Sequence, residues 1–326
     1  MQARSALVLL AAVALAAGPL AAQDIPANQL KQIRDAAPER ASAQPKQPRR
    51  VLVFNTPPHL MEKDPHKGYC IPYGAAAMRV LGEKTGAFEA VVSDDLTMFM
   101  PDQLRRFDAV VLNNASGSWI TPSEATMQKL GRTDPAAVEQ TLKASILDWV
   151  SGGGGIVAYH YALGANSRWP EFHEMMGAVL GGHPWNEDVG VKVEDPQHPI
   201  VAAFEGKGFR IADELFQFSR VYDRSKVRVL LSLDNDVTNM SPANYTLRAD
   251  RDFPMAYVKS HGKGRIFYTV FGHRTEIYWH PQVLRMYLDG IQFATGDLEA
   301  PTEPLEPGRI APARAPAPTP RPARGG

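Results

Sequence analysis

The sequence holds a single cysteine, Cys70, and carries no net charge, with 35 Lys and Arg against 35 Asp and Glu. One thiol excludes an internal disulfide framework and a multi-cysteine metal site. Balanced charge removes the clustered Lys/Arg excess that a nucleic-acid partner requires, so none is expected. No G-x-S-x-G elbow is present, which excludes a serine nucleophile of the α/β-hydrolase kind. The four glycines Gly152 to Gly155 follow a helix and lead into a strand, the reverse of a dinucleotide-binding loop. H-E-x-x-H is also missing, so any metal site must be assembled from distant segments.

Long apolar runs are scarce too. The longest, ALVLLAAVALAAG, begins at Ala6 and falls short of the ~20 residues needed to span a bilayer. MQAR precedes it and GPLAAQD follows, the layout of a secretory signal peptide cleaved near Ala22. Residues 1–22 are therefore expected to direct export to the periplasm or exterior, leaving no membrane span after cleavage. Residues 23–49 read as a polar, Pro-containing linker. From 299 to 326 Pro, Ala and Arg dominate, and such a stretch buries too little apolar surface to fold. A disordered tail, dispensable for folding, is expected there. The folded part then spans 50–298, within the usual size of a single α/β domain.

Within that span the pattern alternates. RVLVFN from Arg50 is a buried strand, and IPYGAAAMRVLGEKTG suits a helix with Pro72 early and Gly82 and Gly86 near its end. FEAVVSDD and FDAVVLNN repeat the strand signal. Asp134 and Pro135 then open the strongest helix, whose Val138, Leu142, Ile146, Trp149 and Val150 form an apolar stripe. GIVAYH is the next strand, RWPEFHEMMGAVLGG a helix, and strand signals crowd the second half before a last helix over VLRMYLDGIQFA. Alternating strands and helices predict a mostly parallel sheet with helices on both faces. Ligands bind such sheets beyond the carboxyl ends of the strands, which places Asn55, Asn113, Asn114 and His160 on one rim.

Histidine is the remaining chemistry. Of nine, His160 and His273 close apolar strands and turn toward that rim, while His59 and His66 follow the first strand and His183 and His198 precede prolines. Imidazole is both the commonest metal ligand and the commonest acid/base near neutral pH. His173, His261 and His280 read as structural. Asp213 and Glu214 lie inside an apolar run, where unpaired carboxylates are costly. Strand alternation turns their side chains to opposite faces, so one can enter a cleft while the other is held structurally.

Taken in order, these segments resemble the trehalose-utilisation (ThuA-like) family. The residues that carry the resemblance are Gly153 to Val157 with His160, then Trp169 and Phe172, Gly181-Gly182, His198-Pro199 and Asp213-Glu214. Gly262 to Arg265 with Phe267-Tyr268, and Gly272-His273, complete the set. The match runs from about Val51 to about Gly296. Tyr161 departs from the family pattern, which has a small residue after the elbow histidine, and Thr121 to Pro135 reads as an insertion. The resemblance implies a class I glutamine-amidotransferase-like (flavodoxin-like) domain in which histidine replaces the amidotransferase nucleophile. It also implies a small carbohydrate substrate, a disaccharide or a 3-keto-glycoside.

On that footing His160, Glu214 and His273 are the expected catalytic groups, and the same three are the expected ligands of a divalent metal such as zinc. Asn113, Tyr161, Trp169, His183 and His66 are expected to bind substrate, with Trp119 and Trp185 as further aromatic faces. The rival reading is a non-catalytic carbohydrate- or partner-binding domain that kept the fold. The two differ in the surroundings of His160: a working site needs a second polar group within hydrogen-bond reach, and a degenerate one does not.

Overall fold

The computed structural model describes residues 25–62, 68–219, 221–306, 308 and 311–318. The expected signal peptide and His66 lie outside the described residues. Nine strands form one sheet: β1 Arg50–Asn55, β2 Glu89–Ser93, β3 Ala109–Asn113, β4 Gly155–Tyr159, β5 Trp185–Val193, β6 Phe209–Leu215, β7 Arg228–Leu233, β8 Pro254–His261 and β9 Gly264–Thr269. The helices are α1 Ala27–Ala36, α2 Pro58–Met61, α3 Ile71–Thr85, α4 Pro101–Leu104, α5 Glu124–Leu130, α6 Pro135–Ser151, α7 Pro170–Met176 and α8 Pro281–Ala294. Strand order is β2-β1-β3-β4-β9-β8-β7-β5-β6. Among the described residues no helix is long and apolar enough to cross a membrane.

The sheet is mixed rather than mostly parallel. Pairing is parallel from β2 through β1, β3 and β4 to β9, and antiparallel from β9 through β8, β7 and β5 to β6. The first half comes from helix-linked strands, which need crossovers and so run parallel. In the second half no α-helix links the successive strands, and the turn at Gly262 and Lys263 folds β9 straight back on β8. β9 reaches across to β4 and welds the two halves together.

β3 and β4 are buried on both sides. A methyl group on Gly154 would strike the Trp149 ring of α6, whereas one on Gly155 would meet the Ala294 backbone of α8 at 2.2 Å. Successive strand residues face opposite ways, so α6 and α8 cover opposite faces. Asp134 caps α6 by accepting from the Ala137 N–H at 3.1 Å.

Two expectations about the ends of the chain are corrected. Within the expected linker, α1 packs on α3, burying Ile33, with Tyr73 donating to Gln29 at 2.6 Å. The linker's last residue, Arg49, bridges Asp108 (2.9 Å) and Asp297 (2.7 Å), tying the segment to the start of β3 and to the residues after α8. The tail is also docked over its described residues. Ala313 exchanges both backbone hydrogen bonds with Val193, Arg314 pairs with Asp234 at 2.7 Å and with Asp236, and His198 contacts the Pro301 carbonyl at 3.2 Å. Its own composition cannot build a core, but it can complete one edge of a sheet supplied by the rest of the chain.

Candidate functional site

β4 ends at Tyr159, and His160 follows with φ +51°, a left-handed conformation that non-glycine residues seldom adopt. The turn is held from both sides: the Tyr268 hydroxyl donates to the His160 carbonyl at 2.6 Å, and the imidazole stacks on Phe216 at 4.5 Å. His160 Nδ1 lies 3.0 Å from the Val270 carbonyl. A carbonyl can only accept, so that contact places a proton on Nδ1 and turns Nε2 into the site.

Nε2 points at two partners. His273 Nδ1 lies 3.2 Å away and Glu214 Oε2 3.5 Å away, while His273 Nδ1 and Glu214 Oε2 are 3.3 Å apart. Three segments separated by more than fifty residues each thus meet at one buried point. His273 is carried there by Gly272, whose φ of +142° turns the chain sharply after β9. Glu214 arrives from the edge strand β6.

The paired carboxylates divide as strand alternation requires. Glu214 enters the site, and Asp213 turns away, fully buried, to accept backbone N–H bonds from Gly272 (2.8 Å), His273 (3.4 Å) and Arg274 (2.8 Å). Burial raises the Asp213 pKa, with those N–H donors opposing it. For Glu214 burial also pushes upward, but the surrounding imidazoles of His160, His273 and His183 outweigh it and hold the carboxyl below its ordinary range.

The triangle suits a metal. Ligands at the ~2.0–2.2 Å typical of zinc with imidazole and carboxylate sit about 3.3–3.5 Å apart in a tetrahedron, close to the three observed separations. The Val270 contact supplies the outer hydrogen bond that ligating imidazoles normally make. No other set of three or more His, Cys, Asp and Glu side chains with this spacing occurs among the described residues.

The expected substrate-binding residues divide. Tyr161 is partly exposed beside the site, its backbone N–H bound to Asn114 Oδ1 at 3.1 Å. His183 is half-exposed, with Nδ1 3.2 Å from Glu214 Oε1 and Nε2 3.1 Å from the Tyr245 hydroxyl. Trp169 is instead a core residue, buried and stacked on Phe172 at 5.2 Å. Asn113 is likewise buried, donating to Asn55 (2.6 Å) and the Ile71 carbonyl (2.9 Å) and accepting from Tyr159, so no polar group is left for a ligand. Trp119 and Trp185 also belong to the core.

Tyr69 was not anticipated. It sits in the segment after β1, its hydroxyl donating to the His273 carbonyl at 2.6 Å and its ring edge-on to that imidazole at 5.4 Å. The only sequence signal was an aromatic residue in a loop at the carboxyl end of a strand. A separate cavity of about 410 Å³ lies by α1 and α3, lined by Leu30, Asn55, Ile71, Val80 and Val92 among others, and it includes none of the three converging side chains.

The sequence pattern of ThuA, described as trehalose utilisation, matches residues 50–294. Among solved structures, a ThuA-like protein from Bacteroides uniformis is 18% identical with a TM-score of 0.56, covering 78% of this chain and 94% of that one. A ThuA-like protein from Parabacteroides merdae is 19% identical with a TM-score of 0.49, covering 78% and 93%. At 18% identity the first of these likenesses speaks for the fold alone. No functionally curated protein matches the chain.

Proposed function

From the premise that this chain belongs to the trehalose-utilisation family, we propose that it is an enzyme of carbohydrate use, acting on a disaccharide or 3-keto-glycoside. The observation that carries this reading is the convergence of His160, His273 and Glu214 within 3.5 Å of one another at the carboxyl end of β4. That is also where the resemblance puts an amidotransferase nucleophile, so the fold relation and the site relation point to one place.

His160 Nε2, His273 Nδ1 and Glu214 Oε2 would hold a divalent metal such as zinc. When bound, such a metal supplies a Lewis acid for a sugar carbonyl or hydroxyl oxygen. The protein's own groups do the rest. Val270 and Phe216 fix the His160 ring, and Asp213 fixes the loop that presents His273. Glu214 Oε1, turned toward His183, is the atom placed to accept a proton. A C–H next to a ketone is acidic enough for one carboxylate base and one carbonyl-polarising group to open an elimination or isomerisation. A non-catalytic domain would not require this buried polar constellation.

Elemental analysis of the purified protein should find about one divalent metal per chain. His160→Asn, chosen because Asn tolerates a positive φ, should lose the metal while keeping its circular dichroism and a cooperative melt. Turnover should then appear in a panel of oxidised and unoxidised disaccharides with the wild type and vanish in the variant. Wild-type protein that takes up no zinc and converts none of the sugars would overturn the proposal.

A further inference from the structure

Only three large hydrophobic residues among those described are exposed: Tyr69 at 40%, Tyr161 at 37% and Val221 at 37%. Both tyrosines belong to the converging site. Ring contacts run in an unbroken series from Tyr69 to His273 (5.4 Å), to His160 (5.1 Å), to Phe216 (4.5 Å) and to Tyr161 (6.2 Å). The two exposed rings therefore stand at the two ends of a series whose middle is the buried imidazole pair.

Both are also fixed in advance. Tyr69 is tied by its hydroxyl to the His273 carbonyl, while the backbone N–H of Tyr161 anchors its turn to Asn114 and its ring stands edge-on to Phe216 at 6.2 Å. A side chain at Gly164 would come within 2.8 Å of the Tyr161 ring, so glycine there is what lets the ring lie against its own turn. Folding does not require this arrangement, because neither ring is part of the buried core. A ligand account does. Rigid, half-exposed tyrosines offer an apolar face with a polar tip at little entropic cost on binding.

We infer that Tyr69 and Tyr161 are the specificity-determining residues of this site and that they select a closed pyranose ring, whose C–H faces pack on aromatic faces, over an open-chain polyol of the same hydroxyl content. The inference rests on the sugar reading above and narrows it. The hydroxyl-rich edge of such a ring then meets the polar groups His183, Tyr245 and Glu214.

The test is titration calorimetry of the full chain with trehalose, its 3-keto derivative and mannitol, alongside zinc content. Wild type should bind at least one of the two cyclic sugars at least roughly tenfold tighter than mannitol. Tyr161→Phe should retain that preference. Tyr161→Ala should lose roughly tenfold in sugar affinity with zinc content and melting behaviour unchanged, and Tyr69→Ala should lose a similar factor in sugar affinity. Tyr69→Phe, which keeps the ring and removes only the hydroxyl tie, guards against loop collapse as the explanation and should keep the ring preference. If both alanine variants bind the cyclic sugar as wild type does, or if mannitol binds equally well, this inference falls and the enzyme proposal stands. Should wild type bind neither cyclic sugar, this inference falls, and the enzyme proposal falls with it when the chain also takes up no zinc and converts none of the sugars.

Discussion

At Asp213 a fully buried carboxylate spends its acceptor capacity on three consecutive backbone N–H groups, those of Gly272, His273 and Arg274. By holding the backbone N–H of His273 and those on both sides of it, the carboxylate sets where His273 stands. Asparagine at this position would keep one acceptor and turn its NH₂ toward N–H donors, leaving at least one of them unpaired. Asp213→Asn is thus expected to cost about 1–3 kcal/mol of stability and to weaken zinc binding by roughly 10–100-fold. Thermal melts and a zinc titration check both parts; unchanged zinc affinity would show that the loop holds His273 without the carboxylate. The division between Asp213 and Glu214 was legible in the sequence because alternation in a strand is strict. The approach of Tyr69 to His273 was not, since Tyr69 sits in a loop where no periodicity aims a side chain. Trp169 and Asn113 misled for a related reason. Position near a strand end predicts proximity to the rim, but exposure depends on which helix lies over that end.

Among the elements, α3 and β3 meet more closely than their sequences announce. A methyl group at Gly74 would stand 2.1 Å from Asn113 Oδ1 and 2.6 Å from the Tyr159 hydroxyl, both buried and hydrogen-bonded to each other. Helix propensity alone favours Gly74→Ala by about 1 kcal/mol. Overlap in a packed interior costs about 1–3 kcal/mol, and separating the Asn113–Tyr159 pair adds about 1–3 kcal/mol more. The packing effect wins, so the substitution should lower the melting temperature by several degrees, and a rise would mean that α3 can slide. Tyr159 immediately precedes His160, so the same melt run with and without zinc reports whether the strain reaches the site. The parallel half of the sheet was legible because helices alternate with apolar runs there. Placement of β9 beside β4 was not. It pairs segments about 110 residues apart, and only the shared demand for a doubly buried neighbour brings them together.

On the scale of the whole molecule, the carboxyl-terminal segment behaves as part of the domain. Ala313 continues the line of β6 along β5, and Ala315 donates its N–H to Asp234 at 3.0 Å beside the Arg314 pair. Composition gave the opposite expectation because Pro/Ala-rich chain cannot fold alone; docking onto an existing edge requires only backbone groups and a few charges. Burial tends to raise the Asp234 pKa, but Arg314 and the backbone N–H groups of Ala315 and Asp236 prevail and hold it below the ordinary value. A carboxyl with a depressed folded-state pKa stabilises the fold above its unfolded value, about 3.9, and loses that contribution as pH falls through the folded value. Truncation after Ala300 removes Arg314 and Ala315 and leaves Asp234 without its cation and without the Ala315 N–H. The truncated chain should melt several degrees below the full chain at pH 7, and the gap should begin to shrink as pH drops below about 4 and lose its ionic part only below the depressed folded value, where Asp234 is neutral in both proteins. Paired melts across that range are the measurement. Equal melting temperatures at pH 7 would return the segment to the dispensable tail that its composition suggests, and a gap constant with pH would assign the docking to the β5 pairing rather than to the ion pair.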